Sequence, residues 1–103
     1  MIKAKKSLGQ NFLIDNKILK KITNVTIIKD KSILEVGPGT GNLTSFILKK
    51  NPKEFFIVEK DQKLVLDLQR KFQNQVEIIN NDILKINEKE LTQNKLIVFG
   101  NLP

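Results

Sequence analysis

Between Ile33 and Thr44 the chain reads ILEVGPGTGNLT. An apolar run stops at three glycines in alternate positions, Gly37, Gly39 and Gly41, and an amphipathic pattern begins directly after them. That order predicts a buried strand, a tight turn and a helix. Glycine reaches positive φ without a Cβ clash and lets a ligand touch the backbone. The same turn delivers the start of a helix, whose free N–H groups suit an anionic group. A plain strand-to-helix turn needs one glycine; three in alternation point to a ligand lying against the loop.

The remaining pattern continues that unit. KSILEVG (31–37), EFFIVEK (54–60), VEIIN (76–80) and KLIVFGNLP (95–103) read as strands. GNLTSFILKK (41–50) reads as a helix with Leu43, Phe46 and Ile47 inward, stopped by Asn51-Pro52. QKLVLDLQRKF (62–72) is a second helix, with Leu64, Val65, Leu68 and Phe72 on one face. Residues 82–94 read as a loop with one helical turn. Ahead of all this, DNKILKKITNV puts Ile18, Leu19, Ile22 and Val25 on one helical face, with Asp15 as N-cap. Strands alternating with helices predict a parallel α/β sheet with the first strand central and ligand loops at the strand carboxyl ends.

Composition narrows the chemistry. The 103 residues include no cysteine and no histidine, which removes disulfides, thiolate nucleophiles, histidine bases and the usual zinc sites. No apolar run approaches the roughly 18 residues of a membrane span, and no h-region follows the basic start. A cytoplasmic address and no membrane partner are therefore expected. Of the net charge of +7, residues 1–31 hold +6: eight lysines against Asp15 and Asp30. A basic arm (1–30) before a nearly neutral body (31–103) suits a polyanion such as RNA, although lysine, asparagine and isoleucine abound throughout.

The loop fits neither familiar phosphate cradle. The dinucleotide fingerprint wants a glycine where Asn42 stands, and no Gly-Lys-Ser/Thr follows for a P-loop. A nucleoside with little phosphate suits it better. Glu59 ends the second strand, 22 residues after Gly37, where a carboxylate can accept from ribose hydroxyls. Asp82 follows the third strand, where a carboxylate can accept from an adenine amino group. Either acid alone reads as a solvated strand end. Together, beside the glycine loop, they outline adenosine.

EVGPGTGNLT, VEKD with Glu59 and NNDIL with Asp82 resemble the S-adenosylmethionine-dependent methyltransferases. KKSLGQNFLID (5–15) and GNLP (100–103) narrow the resemblance to the ribosomal RNA adenine dimethyltransferases, in that family's order and spacing. The resemblance implies a Rossmann-like class I methyltransferase fold, a mostly parallel sheet with flanking helices, here cut after the fourth strand and lacking the family's C-terminal RNA-binding domain. It implies S-adenosylmethionine as cofactor and dimethylation of adenine N6 on two adjacent adenosines near the 3′ end of small-subunit rRNA. The partner is then rRNA or a pre-ribosomal particle, met by a monomer without metal.

By the same resemblance, Asn11 and Leu13 close over the cofactor, with Gln10 adjacent. Gly37 and Gly39 contact its methionine part, Glu59 its ribose, and Asp82 with Ile83 its adenine. Glu35 either faces the positive sulfonium and α-amino group or braces the glycine loop. Asn101, Leu102 and Pro103 open the catalytic motif; the aromatic residue that follows the proline in the family would be number 104. Three other readings stay open: a large-subunit enzyme of the antibiotic-resistance type, a non-catalytic assembly factor on the same scaffold, and a nicotinamide oxidoreductase.

Overall fold

The computed structural model describes residues 27–100. Strands β1 (Ser32–Val36), β2 (Glu54–Glu59), β3 (Glu77–Asn80) and β4 (Leu96–Gly100) form one sheet in the order β3-β2-β1-β4. Every pairing is parallel. Parallel neighbours cannot be joined by hairpins. The crossovers carry α1 (Asn42–Leu48), α2 (Gln62–Phe72) and the single turn α3 (Glu88–Leu91). The chain steps outward from β1 to β2 to β3, then returns to the other side of β1 for β4. Strand order therefore reverses between β1 and β4, the point where open α/β sheets bind ligands. Register keeps the carboxyl ends level: Val36 faces Val58 and Gly100, and Glu59 faces Asn80. The expected central first strand and parallel sheet are both present.

Both faces of the sheet are covered, which is why its strands read as unbroken apolar runs. All five residues of β1 are buried. On one face Ile33, Phe55, Ile57 and Phe99 meet Ile47 of α1 and Leu68 and Phe72 of α2. On the other, Leu34, Val36, Phe56 and Val58 gather Ile79 and Val98 with Ile83, Ile86 and Leu91 from the 82–91 segment. Each buried aliphatic or aromatic side chain contributes about 1.5–3 kcal/mol.

The sequence explains α2 end to end. Asp61 accepts from the amides of Lys63 and Leu64 at 2.8 and 3.4 Å, satisfying two orphan donors. Arg70 and Lys71 stand in the last turn, where cations complement the helix dipole. Val65, Leu68 and Phe72 form the buried stripe, and Leu64 is half-buried.

α1 departs from expectation. It ends at Leu48, and its fully buried residues are Thr44 and Ile47. Leu43 is half-buried against the core, but Phe46 is half-exposed and carries the Lys49 ammonium 5.1 Å from its ring centroid. The cause is Glu35, which shares its side of β1 with Ile33 and draws the hydroxyl of Thr44 inward. The 82–94 region holds a 3₁₀ turn, Ile83–Lys85, as well as α3.

At the amino end of the sheet, Glu54 ties three segments together. Its Oε1 accepts from Ser32 Oγ at 2.6 Å, Thr92 Oγ1 at 2.8 Å and Asn94 Nδ2 at 2.8 Å. These bonds, led by that from Ser32, hold its carboxyl below the usual range. The helix expected at 15–25 and the residues Asn11, Leu13, Asn101, Leu102 and Pro103 lie outside the described residues.

Candidate functional site

The three glycines have three different jobs. All take positive φ, at 66°, 61° and 91° for Gly37, Gly39 and Gly41. Gly37 extends the sheet by donating its N–H to Val58 O at 3.0 Å. Gly41 is buried, and a Cβ there would stand 2.7 Å from Cε2 of Phe72 and 3.2 Å from Cδ2 of Leu68. Its bareness lets α2 pack against the start of α1. Gly39 is the opposite case: a Cβ there would meet nothing within 4 Å. The backbone at Gly39 is open to an approaching ligand. The loop is closed by Gly41 N–H donating to Pro38 O at 3.0 Å, and Lys71 Nζ reaches Thr40 O at 3.3 Å from α2.

Under the loop sits Glu35, 2% exposed. Its Oε1 accepts from Thr44 Oγ1 at 2.5 Å. Burial pushes its carboxyl up to about 7; the Thr44 bond works against that rise and the nearby Glu59 charge adds to it. Of the two roles expected for Glu35, the geometry displays the brace: it joins the end of β1 to α1 beneath the glycines. Thr44 escaped the sequence reading. The available signal was a hydroxyl on the inward face of the helix that follows an acid on a buried strand.

Glu59 shares that side of the sheet on the neighbouring strand. It is 7% exposed, and its Oε2 accepts from Asp61 N–H at 2.9 Å, which fixes the carboxylate at the mouth of β2. Asn80, also missed from sequence, holds the backbone there. Its Nδ2 donates to Glu59 O at 2.9 Å and to Lys60 O at 3.2 Å. Asp82 begins the 3₁₀ turn. One oxygen accepts from Leu84 N–H at 3.0 Å, and the other lies 3.9 Å from Lys60 Nζ. Ile83 follows, half-buried against the second core.

The structure therefore brings Glu35, Gly37, Gly39, Glu59, Asp82 and Ile83 to the carboxyl ends of three adjacent strands, β1, β2 and β3. An open cleft of about 640 Å³ beside Glu88 and Lys95 lies at the other end, at the start of β4, and includes none of them. Among the described residues, no group of three acidic, histidine or cysteine side chains could hold a metal ion, and no helix is long and apolar enough to cross a membrane.

Comparison with known proteins agrees with this arrangement. The family model described as ribosomal RNA adenine dimethylase matches residues 1–103. A protein of Pelagibacter ubique named ribosomal RNA small subunit methyltransferase A is 57% identical over 102 residues, covering 99% of this chain and 39% of the relative. A protein of the same name from a Wolbachia of Culex pipiens is 43% identical over the whole chain and 40% of its own length. Among solved structures, the 23S rRNA methyltransferase ErmE superposes with a TM-score of 0.77 at 26% identity, over 90% of this chain and 38% of that one. A dimethyladenosine transferase from Plasmodium falciparum gives 0.74 at 26% identity, over 90% and 34%. The chain spans about two-fifths of the length of the curated relatives it matches. Matched from its first residue to its last, and folded as a parallel sheet with a glycine loop at its central strand, the chain belongs to the ribosomal RNA adenine dimethylase family.

Proposed function

We propose that this chain forms the cofactor-binding part, residues 31–103, and the basic arm, residues 1–30, of an rRNA adenine-N6 dimethyltransferase. Its targets are two adjacent adenosines near the 3′ end of small-subunit rRNA during ribosome assembly. The observation that carries the reading is the juxtaposition of an open, positive-φ Gly39 with two carboxylates, Glu59 and Asp82, at the ends of the next two strands. That set fits a nucleoside cofactor with a short, uncharged-to-cationic tail. Gly37 and Gly39 give the tail backbone to lie on. Glu59 accepts from ribose hydroxyls with the oxygen that Asp61 leaves. Asp82 accepts from the adenine amino group, and Ile83 offers the ring an apolar edge. Asn11 and Leu13 cover the site in this reading. S-adenosylmethionine, when bound, supplies the methyl group.

The target amine is part of an aromatic amidine, so its lone pair is delocalised. The side-chain oxygen of Asn101 and the carbonyls of Asn101 and Leu102 would accept its N–H groups and free that lone pair. Pro103 has no N–H to compete and stiffens the turn. The target base must leave its stack to arrive there. Alignment of amine and methyl donor supplies much of the acceleration, several kcal/mol on the order of known intramolecular effects.

Calorimetric titration of S-adenosylmethionine into the full chain tests the site. Binding is expected, with at least tenfold loss on Asp82→Ala and no binding of NAD. A folded chain that binds NAD and not S-adenosylmethionine would sink the reading. Transfer of labelled methyl groups to small-subunit rather than large-subunit rRNA separates it from the activity in ErmE's name, the reading that the TM-score of 0.77 keeps in view.

A further inference from the structure

The amino end of the sheet carries a row of cations. Ser32, Glu54 and Leu96 are register partners on β1, β2 and β4. One residue ahead of each stands a lysine: Lys31, Lys53 and Lys95. All three are exposed. Neighbouring strands lie about 4.8 Å apart, so the row is roughly 10 Å long. Its order is fixed by backbone bonds: Lys53 N–H donates to Lys31 O at 2.7 Å, and Asp30 N–H to Asn51 O at 3.0 Å. The second bond draws the turn holding Lys29 against the turn holding Lys49.

Like charges on adjacent strands repel, which is a cost to the fold unless something offsets it. The acids at this end are Asp30, Glu54, Glu88 and Glu90. Glu54 already accepts three hydrogen bonds on one oxygen. Among the described residues, the ion pairs within 4 Å are Lys60–Asp82 and Arg70–Asp67, so none involves the row. Nor is the chain's own start a complement, because residues 1–26 hold six lysines against Asp15. A regularly spaced polyanion is the complement.

We propose that the amino end of the sheet is a second RNA-contacting surface, where Lys31, Lys53 and Lys95 neutralise phosphates of a folded RNA segment distinct from the one presented to the glycine loop. This rests on the reading that the partner is RNA. Five residues of β1 separate the two ends by about 17 Å. A short single strand in the site does not reach the row; a folded rRNA domain wrapping the edge of the sheet does.

The test replaces Lys31, Lys53 and Lys95 together with glutamine in the full chain. A control replaces Lys63, Arg70 and Lys85, which removes the same charge elsewhere. Both are titrated, across a salt series, with a folded transcript of the small-subunit rRNA 3′ domain and with a short unstructured oligonucleotide. For the transcript, the row variant should lose at least tenfold in affinity. Its slope of log K against log salt should fall by about 2–3, near 0.7–0.9 for each phosphate released. Arginine at the same three positions should restore both. The control should lose less, and the oligonucleotide should bind all variants alike. S-adenosylmethionine binding, measured alongside, reports the fold and the functional site independently. Equal losses in row and control variants, or an equal loss for the oligonucleotide, would overturn the proposal. Absence of cofactor binding by the unsubstituted chain would instead count against the functional reading alone.

Discussion

Glu35 makes the stability of this chain an unusually clean reporter of one carboxyl. Its folded-state value is about 7 against an ordinary 4.5. A carboxyl that binds its proton more tightly when folded favours the native state at low pH. That advantage fades as pH rises from about 4.5 to about 7, and above 7 nothing further is lost. Each pH unit of separation is worth about 1.4 kcal/mol, so the full loss is about 3 kcal/mol as an upper bound. The sequence contains no histidine, so no other side chain has an ordinary value inside that window. Glu54, whose carboxyl is lowered, acts in the opposite sense and below 4.5: its contribution is lost as pH falls through its folded value. The perturbation is Glu35→Gln, which keeps an acceptor for Thr44 and cannot ionise. Its amide can donate toward Glu59. Urea unfolding of both proteins at pH 5 and pH 8 reads the difference, followed by far-ultraviolet circular dichroism because there is no tryptophan or tyrosine. The variant should gain about 3 kcal/mol relative to the parent on going from pH 5 to pH 8. A difference between the two that is the same at both pH values would refute the linkage and place the charge of Glu35 in a more polar setting.

The two glycines that look alike in sequence should respond differently. Gly41→Ala forces a Cβ to 2.7 Å from Phe72 at a φ of 91°, and should destabilise by about 2–4 kcal/mol in urea unfolding. Gly39→Ala meets open space, and should cost only about 1–2 kcal/mol from its φ while weakening S-adenosylmethionine in calorimetry. Thr44→Val leaves the Glu35 carboxyl without its donor and should cost about 1–3 kcal/mol at pH 8, less at pH 5. Ile57→Ala, at a position with no exposure, should cost about 2–5 kcal/mol by the same measurement, without changing cofactor affinity in the fraction that remains folded.

Much of the sheet was legible because burial on both faces leaves long apolar runs, and because the glycines and Asn51-Pro52 punctuate them. Residues 62–72 were found in full, since Asp61, the Val65–Leu68–Phe72 stripe and the basic last turn agree on one helix. Phe46 was misplaced because periodicity sees only hydrophobicity. It cannot register that a buried acid on β1 would recruit Thr44 in place of an apolar neighbour. The short turns after Asp82 were hidden for a related reason: each is fixed by one side-chain oxygen, of Asp82 or Asn87, on a backbone amide. In the site, Glu59 and Asp82 could be read from their places at strand ends. Asn80 could not, because its role is a contact with carbonyls 20 and 21 residues away in sequence.

The strand order also sets a timetable for folding. β1 meets β2 across 22 residues, Ser32 to Glu54, but meets β4 across 64, Ser32 to Leu96. The wider closure costs only about 1 kcal/mol more in chain entropy, yet it must wait until the last strand is available. The β1-β2-β3 half, with the glycine loop, Glu59 and Asp82, can assemble in the order in which it is synthesised. The crevice between β1 and β4 comes into being only with the final pairing. In pulse-labelled hydrogen exchange, the amides of β4 should therefore gain protection after those of β2, so that a nascent chain holds its adenosine-shaped half before it has a second wall to close against.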